Sequence, residues 1–270
     1  MKDPVLRLDS LIDYFRNFRG AAVAFSGGVD SSVVAAAAFQ ALGERSVAVT
    51  VASEFVPASE IGQAASVAGA IGIRHEVLRL NVLEDEKIAS NPPERCYYCK
   101  RGDFGAILEI AERRGLEVFD GTNADDARTR RPGLKALLEM GIKSPLNELN
   151  IGKDEVREIA RRLKLPNAER PSSPCLASRF PYGMRIIEDD LERVGQAEEF
   201  LRSLGFSELR VRHHGALAKI ELPAGDMPLV MAPETREKIV AKLLSLGYNY
   251  VALDLMGFRS GSMDEALPPE

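Results

Sequence analysis

Ala21-Ala22-Val23-Ala24-Phe25-Ser26-Gly27-Gly28-Val29-Asp30-Ser31-Ser32 is the stretch on which the fold turns. Its first five residues form an uninterrupted apolar run, which fits a strand buried on both faces of a parallel sheet. A glycine pair follows, and then Val33 to Leu42, an alanine-rich segment of high helix propensity. Ser26, Gly27, Gly28, Asp30, Ser31 and Ser32 therefore fall where a strand turns into a helix N-terminus. Backbone N–H groups without helical partners meet the positive end of the helix dipole at such a turn, and glycine lets an anion approach closely. The serine hydroxyls add donors, and Asp30 is suited to hold a divalent cation against the same anion. A plain glycine turn explains a bare glycine pair, but not this whole string between a strand and a helix. The stretch reads as a pyrophosphate site. It differs from the Walker pattern, because no Gly-Lys-Ser/Thr follows.

Working outward, residues 5–20 form an amphipathic helix pattern with Leu8, Leu11, Ile12, Phe15 and Phe18 on the apolar stripe. Ser46 to Ala52 reads as a second strand, Pro57 to Gly72 as a helix and Arg74 to Leu80 as a third strand. This repeating order predicts an α/β, doubly wound, mainly parallel sheet. Ligands collect at the carboxyl edge of such sheets, so Val51, within Thr50 to Ser53, is a candidate nucleotide contact beside an equally good reading as strand-end packing. Glu117 to Asp120 is a short strand leading into Gly121-Thr122-Asn123-Ala124-Asp125-Asp126. Gly121, Thr122 and Asp125 are the candidates there to read an adenine or bind Mg²⁺, although a solvated turn uses similar residues. Lys153 to Leu165 is a charged helix stopped by Pro166.

Near Arg185 the character changes. A long helix over Ile187 to Leu204 precedes strands at Glu208 to Arg212 and Leu217 to Leu222, a helix at Glu234 to Leu246 and a strand at Tyr250 to Leu255. The expected organisation is a nucleotide-binding domain over 1–170, a linker over 171–184 carrying Cys175, and a smaller C-terminal α+β domain over 185–265.

The chain has 270 residues, 45% of them hydrophobic, and a formal net charge of −5. That balance gives no general pull toward nucleic acid. No run of about 18 apolar residues suggests a membrane span. The N-terminus shows no hydrophobic leader, so a cytoplasmic setting is expected.

Three cysteines, Cys96, Cys99 and Cys175, are a poor basis for a disulfide framework. Cys96 and Cys99 form a Cys-x-x-Cys, a spacing that serves one metal, two corners of one cluster or a redox disulfide. Arg95, Lys100 and Arg101 beside them favour thiolates. A [4Fe–4S] cluster on three thiolates needs no fourth protein ligand; a disulfide at 96–99 and a buried apolar Cys175 are the plainer uses. Arg210 and Arg212 alternate on one expected strand, so both point to one face, where two guanidinium groups suit a phosphate as readily as solvent. Glu198 and Glu221 are loose candidates nearby, since acidic residues on such elements are mostly solvated.

Assembled, these residues resemble the LarE family, ATP-dependent sulfur transferases of nickel-pincer nucleotide synthesis. The resemblance spans nearly the whole chain, through Ser26 to Ser32, Cys96 to Lys100, Gly121 to Asp126, Pro174 to Arg179, Arg210 to Gly215 and Gly257 to Met263. The first stretch is common to ATP pyrophosphatases; Pro-Cys-Leu-Ala-Ser-Arg is the more specific. The resemblance implies adenylation of a carboxylate of pyridinium-3,5-biscarboxylic acid mononucleotide, pyrophosphate release, and conversion to a thiocarboxylate. It implies ATP on Ser26, Gly27, Gly28, Asp30, Ser31 and Ser32, with Asp30 on Mg²⁺. Arg179, Arg210, Arg212 and Ser178 are then the anchors of the substrate phosphate. In some members the cysteine matching Cys175 gives up its sulfur and turns over once. Others add two cysteines and carry renewable sulfur on a three-cysteine [4Fe–4S] cluster, the branch that Cys96 and Cys99 resemble. The partners so implied are a small-molecule nucleotide, an unidentified sulfur donor and further copies of the chain, without nucleic acid or membrane. The rivals are a tRNA thiolation enzyme, an ammonia-using synthetase of the same superfamily, and a nucleotide-binding module without turnover.

Overall fold

The computed structural model describes residues 4–126, 132–171, 174–259, 261 and 265. The 172–173 part of the expected linker and Ser260, Ser262 and Met263 of the Gly257 to Met263 stretch lie outside them. Two compact units emerge, Met1–Val82 with Glu94–Ser173, and Leu83–Pro93 with Pro174–Glu270. In chain order the helices and strands of the first are α1 (Pro4–Arg16), β1 (Ala21–Ala24), α2 (Val29–Leu42), β2 (Ser46–Ala52), α3 (Ala58–Ile71) and β3 (Arg74–Arg79). The chain then enters the second unit for α4 (Glu86–Ala89). It returns for α5 (Arg95–Arg114), β4 (Glu117–Phe119), α6 (Pro132–Glu139), α7 (Pro145–Glu148) and α8 (Lys153–Arg162).

The sheet of the first unit is parallel throughout, in the order β3-β2-β1-β4. The fold is α/β, with the expected sheet type. Ala21, Ala22 and Val23 are fully buried, as a strand covered on both faces requires. One face packs Leu11, Phe15, Val33, Val156 and Ile159, with the Phe15 ring edge-on to Phe119 at 4.8 Å. The other packs Phe104, Ile107 and Leu137 against Val47 and Val49. From β1 the chain steps outward through β2 to β3, then crosses to set β4 on the far side of β1. The reversal makes the carboxyl ends of β1 and β4 a topological switch point, the place where open α/β sheets bind ligands.

The second unit holds α9 (Glu188–Ser203), β5 (Arg210–His214), β6 (Leu217–Glu221), α10 (Met227–Met231), α11 (Pro233–Ser245) and β7 (Tyr250–Leu253). β6 lies between an antiparallel β5 and a parallel β7. Leu201, Phe206, Val211, Ile220, Leu243 and Tyr248 form its core. Residues 83–93 travel with this unit because Gly183 N–H donates to Asn91 O at 2.8 Å and Ile186 N–H to Ala89 O at 2.8 Å.

Three local expectations are corrected. α2 begins at Val29 rather than Val33, so Asp30, Ser31 and Ser32 lie in its first turn. β5 spans Arg210–His214 rather than Glu208 to Arg212, because the turn at Gly215, φ +64°, pairs His214 with Leu217. The Cys-x-x-Cys opens a 20-residue helix, α5, which the pattern did not disclose because charges break its apolar stripe. Among the described residues no helix is long and apolar enough to cross a membrane.

Candidate active site

The loop after β1 is shaped by close approach. Gly27 has φ +72°, and a Cβ there would stand 2.8 Å from Ala64 Cα. At the switch point, a Cβ on Gly121 would stand 2.8 Å from Ser31 N, so the loop after β4 rests directly on the first turn of α2. Ser32 N–H bonds Gly28 O at 3.0 Å and opens the helical ladder, so the amides of Val29, Asp30 and Ser31 stand ahead of it at the positive end of the dipole. Gly28 O also accepts the Ser31 hydroxyl at 3.1 Å and the Ser32 hydroxyl at 2.8 Å. Ser26 Oγ lies 3.2 Å from Ser31 Oγ, and its side is exposed while Ser32 is fully buried. Of the hydroxyls assigned to ATP, Ser26 faces outward and Ser32 holds the loop.

Asp30 is gripped on both oxygens. Asn123 Nδ2 donates to Oδ1 at 3.0 Å and Lys153 Nζ to Oδ2 at 2.5 Å. Asn123 in turn accepts the N–H groups of Asp125 and Asp126 at 2.9 and 3.0 Å, and Asp125 accepts Lys153 N–H at 2.7 Å. The Thr122 hydroxyl and N–H both turn back to Asp120. β1 and β2 pair Ala24 with Val49, so Ser26 and Val51 both lie two residues beyond that pair at one sheet edge. Gly121, Asp125 and the loop residues are thus brought together, whereas Thr122 serves its own turn.

In the second unit the arginines come with buried partners. Arg179, 1% exposed, donates Nε and Nη2 to the two oxygens of Glu198, each at 2.8 Å. Arg212 donates Nε and Nη2 to Glu221 Oε2 at 2.9 and 2.7 Å, and Nη1 to Ser178 O at 2.7 Å. Glu198 and Glu221, 1% and 0% exposed, are counter-ions inside the unit, not solvated surface carboxylates. Burial raises the Glu198 pKa, but the Arg179 hydrogen bonds and charge outweigh it and hold the carboxyl below its ordinary range. Arg202 adds a second cation to Glu198 and Lys219 one to Glu221. Arg210 has no ion pair among the described residues; it stacks over Phe258 at 5.0 Å and donates to Leu209 O. Burial, then the neighbouring Arg179 charge, pushes its pKa down to about 10. A group of cations in excess over its carboxylates is receptive to an anion.

All three cysteines are thiols outside any disulfide. Cys96, exposed, and Cys99, half-buried, sit three residues apart at the start of α5, on neighbouring turns of one helix face. Cys175 is exposed and opens the 3₁₀ turn Leu176–Arg179; its carbonyl accepts Ser178 Oγ at 2.8 Å and Arg179 Nη1 at 3.1 Å. Among the described residues no three His, Cys, Asp or Glu side chains are gathered as a metal-ion set.

The asparagine synthase family matches residues 14–99. A tRNA-specific 2-thiouridylase of Pelobacter propionicus is 29% identical, over 72% of this chain and 63% of its own. An uncharacterized protein of Synechocystis is 40% identical, over 97% of this chain and 98% of its own. The pyridinium-3,5-bisthiocarboxylic acid mononucleotide synthase of Lactiplantibacillus plantarum is 39% identical over 263 residues, 96% of this chain and 94% of its own. The chain belongs to the LarE family. It is an ATP-dependent sulfur transferase of the pyrophosphate-loop class.

Two residues of this LarE-family site escaped the pattern. Lys153 stands in the first turn of α8, where the dipole disfavours a cation; that misfit was the available signal. Asn167, in the turn after α8, had none. The LarE-family chain also buries His213, 2% exposed, with Nδ1 3.2 Å from Tyr248 Oη and Nε2 3.6 Å from Asp190 Oδ2, its ring 5.1 Å from Phe180. Burial lowers its pKa, Asp190 opposes that, and Arg193 and His214 add to it. A folded pKa below the unfolded value of about 6.5 means that its stabilisation is complete above that pH and is lost as pH falls through the folded value. The melting temperature of the full chain is therefore expected to drop below about pH 6.5. His213→Asn should flatten that drop; a parallel drop in the variant would assign it to other groups.

Proposed function

We propose that the chain adenylates a carboxylate of pyridinium-3,5-biscarboxylic acid mononucleotide, releasing pyrophosphate, and converts it to a thiocarboxylate. The near-full-length identity to the L. plantarum synthase carries this reading. The substrate carboxylate attacks the α-phosphate of ATP, and the bond to the β,γ-pyrophosphate breaks. Backbone amides at the start of α2 stabilise the charge that develops on the leaving group. Gly121 and Val51 line the nucleotide at the sheet edge. Asp30 would be the residue to hold a Mg²⁺ bound with ATP, which would supply charge neutralisation on the phosphates, and Lys153, paired to Asp30, places an ammonium at the same loop. Arg179, Arg210, Arg212 and Ser178 anchor the phosphate of the mononucleotide, with Arg210 contributing a guanidinium that forms no ion pair among the described residues. A sulfur nucleophile then attacks the activated carbonyl and AMP departs.

The donor set suits a [4Fe–4S] cluster: two thiols on one helix face and a third exposed thiol, with Cys96, Cys99 and Cys175 as the ligands. When bound, such a cluster supplies a sulfur that can be renewed. In this reading the enzyme works in the cytoplasm as a homo-oligomer and draws sulfur from a donor still to be identified.

The test is anaerobic reconstitution with iron and sulfide, then Mg–ATP and the mononucleotide, for wild type and Cys96→Ala. Substrate-dependent pyrophosphate release with replacement of one oxygen by sulfur supports the reaction. Pyrophosphate release that requires tRNA instead overturns it. About four irons per chain, lost in the variant, support the cluster. Iron-free protein that still makes product, with loss of sulfur from Cys175, overturns the cluster and leaves sacrifice of that cysteine.

A further inference from the structure

Asn167 is 1% exposed, and its amide nitrogen donates to Gly27 O at 2.7 Å and to Ser32 Oγ at 2.9 Å. Its Oδ1 is buried and has no partner among the described residues. The amide cannot be turned over to relieve this, because Oδ1 would then face the Gly27 carbonyl, which only accepts. An orphan buried acceptor is costly, so the orientation is held against a penalty.

The consequence lies in peptide geometry. In a trans peptide the C=O and the following N–H point in opposite directions. Tying Gly27 O inward on Asn167 turns the Gly28 N–H outward, onto the exposed Ser26 Oγ at 3.3 Å, a hydroxyl that an arriving phosphate oxygen would replace. Tying Gly28 O to Ser31 Oγ, Ser32 N–H and Ser32 Oγ turns the Val29 N–H outward as well. The Gly27–Gly28 peptide is the one most able to flip, since glycines flank it on both sides. A flip would aim a carbonyl at the place where phosphate oxygens arrive. Asn167 also bonds the Ser32 hydroxyl, which is itself donating to Gly28 O, so one amide braces both peptides.

We propose that Asn167 is a positioning residue for pyrophosphate: it latches the Gly27–Gly28 peptide with its N–H outward, so that the anion site exists before ATP binds. The inference rests on the reading of this loop as the pyrophosphate site. Preorganised donors need no rearrangement when charge develops, which is what the latch provides.

The test measures binding of inorganic pyrophosphate and of AMP to the full chain by calorimetry, for wild type, Asn167→Asp and Asn167→Ala. Asn167→Asp keeps the shape but sets a carboxylate against the Gly27 carbonyl; Asn167→Ala removes the latch if the aspartate variant does not fold. Pyrophosphate affinity is expected to fall about tenfold or more, the scale of one lost positioning hydrogen bond, with AMP affinity within about twofold of wild type. Ser32→Ala combined with Asn167→Ala should cost less than the sum of the single changes, because they act on one brace. Unchanged pyrophosphate affinity, or an equal loss for AMP, overturns the latch. Wild type that binds AMP but no pyrophosphate overturns the reading of the loop itself, and the latch with it.

Discussion

Cys175→Ala is expected to abolish thiocarboxylate formation, by about a thousandfold or more, while ATP-dependent pyrophosphate release persists. The size follows from the proposed chemistry, in which the thiol is either the sulfur given up or a ligand of its carrier, and alanine can be neither. The selectivity follows from structure. The turn at Cys175 is held through its backbone carbonyl, by Ser178 Oγ and Arg179 Nη1, so removing Sγ leaves that frame intact. The residues proposed for adenylation, Gly27, Asp30, Gly121 and Lys153, stand elsewhere, in the first unit. Product would be read by mass spectrometry and pyrophosphate by a coupled assay on the same sample. Wild-type product formation by the variant would remove Cys175 from the chemistry and favour an ammonia-type transfer. Loss of both signals would mean that the cysteine supports adenylation.

Glu198→Ala is expected to have the largest effect on stability, about 3–5 kcal/mol, because it leaves the Arg179 guanidinium buried without its carboxylate. Arg179 is almost wholly enclosed and places two of its donors on Glu198; Glu198 also accepts the Val211 N–H at 3.1 Å and so ties α9 to β5. A loss of that size is a large fraction of the stability of an ordinary domain, so the denaturation midpoint of the full chain should fall sharply. Arg179→Met with Glu198→Leu should regain much of the loss, since a packed apolar pair replaces a buried ion pair at little cost. The same double variant should still lose mononucleotide binding, which separates the structural from the proposed recognition role of Arg179. A single Glu198→Ala within 1 kcal/mol of wild type, a bound well below the buried-pair range, would show that water reaches the pair.

The function-bearing stretches were local enough to be legible. Ala21 to Ser32 carries its own strand, turn and helix start, because burial on both faces demands an apolar run and a helix start demands small polar residues. The alternation of Arg210 and Arg212 survived a shift in strand limits, because a period of two does not depend on where a strand begins. The cysteine spacing likewise pointed to sulfur or metal chemistry wherever the chain placed it. By contrast, α5 was missed where a run of charges diluted the helical period.

By itself, then, the sequence determined the strand-to-helix anion loop, the parallel α/β order that follows from it, and the residue types able to activate a carboxylate and handle sulfur. Tertiary structure alone decided which partner each group meets: Lys153 and Asn123 on Asp30, Asn167 under the glycine loop, Glu198 and Glu221 inside the arginine cluster, and Gly121 against Ser31. The reason is physical. Period and propensity are set by neighbours a few residues away, whereas ion pairs and close backbone approaches join residues about 10 to 140 positions apart, whose meeting is fixed only when the layers pack.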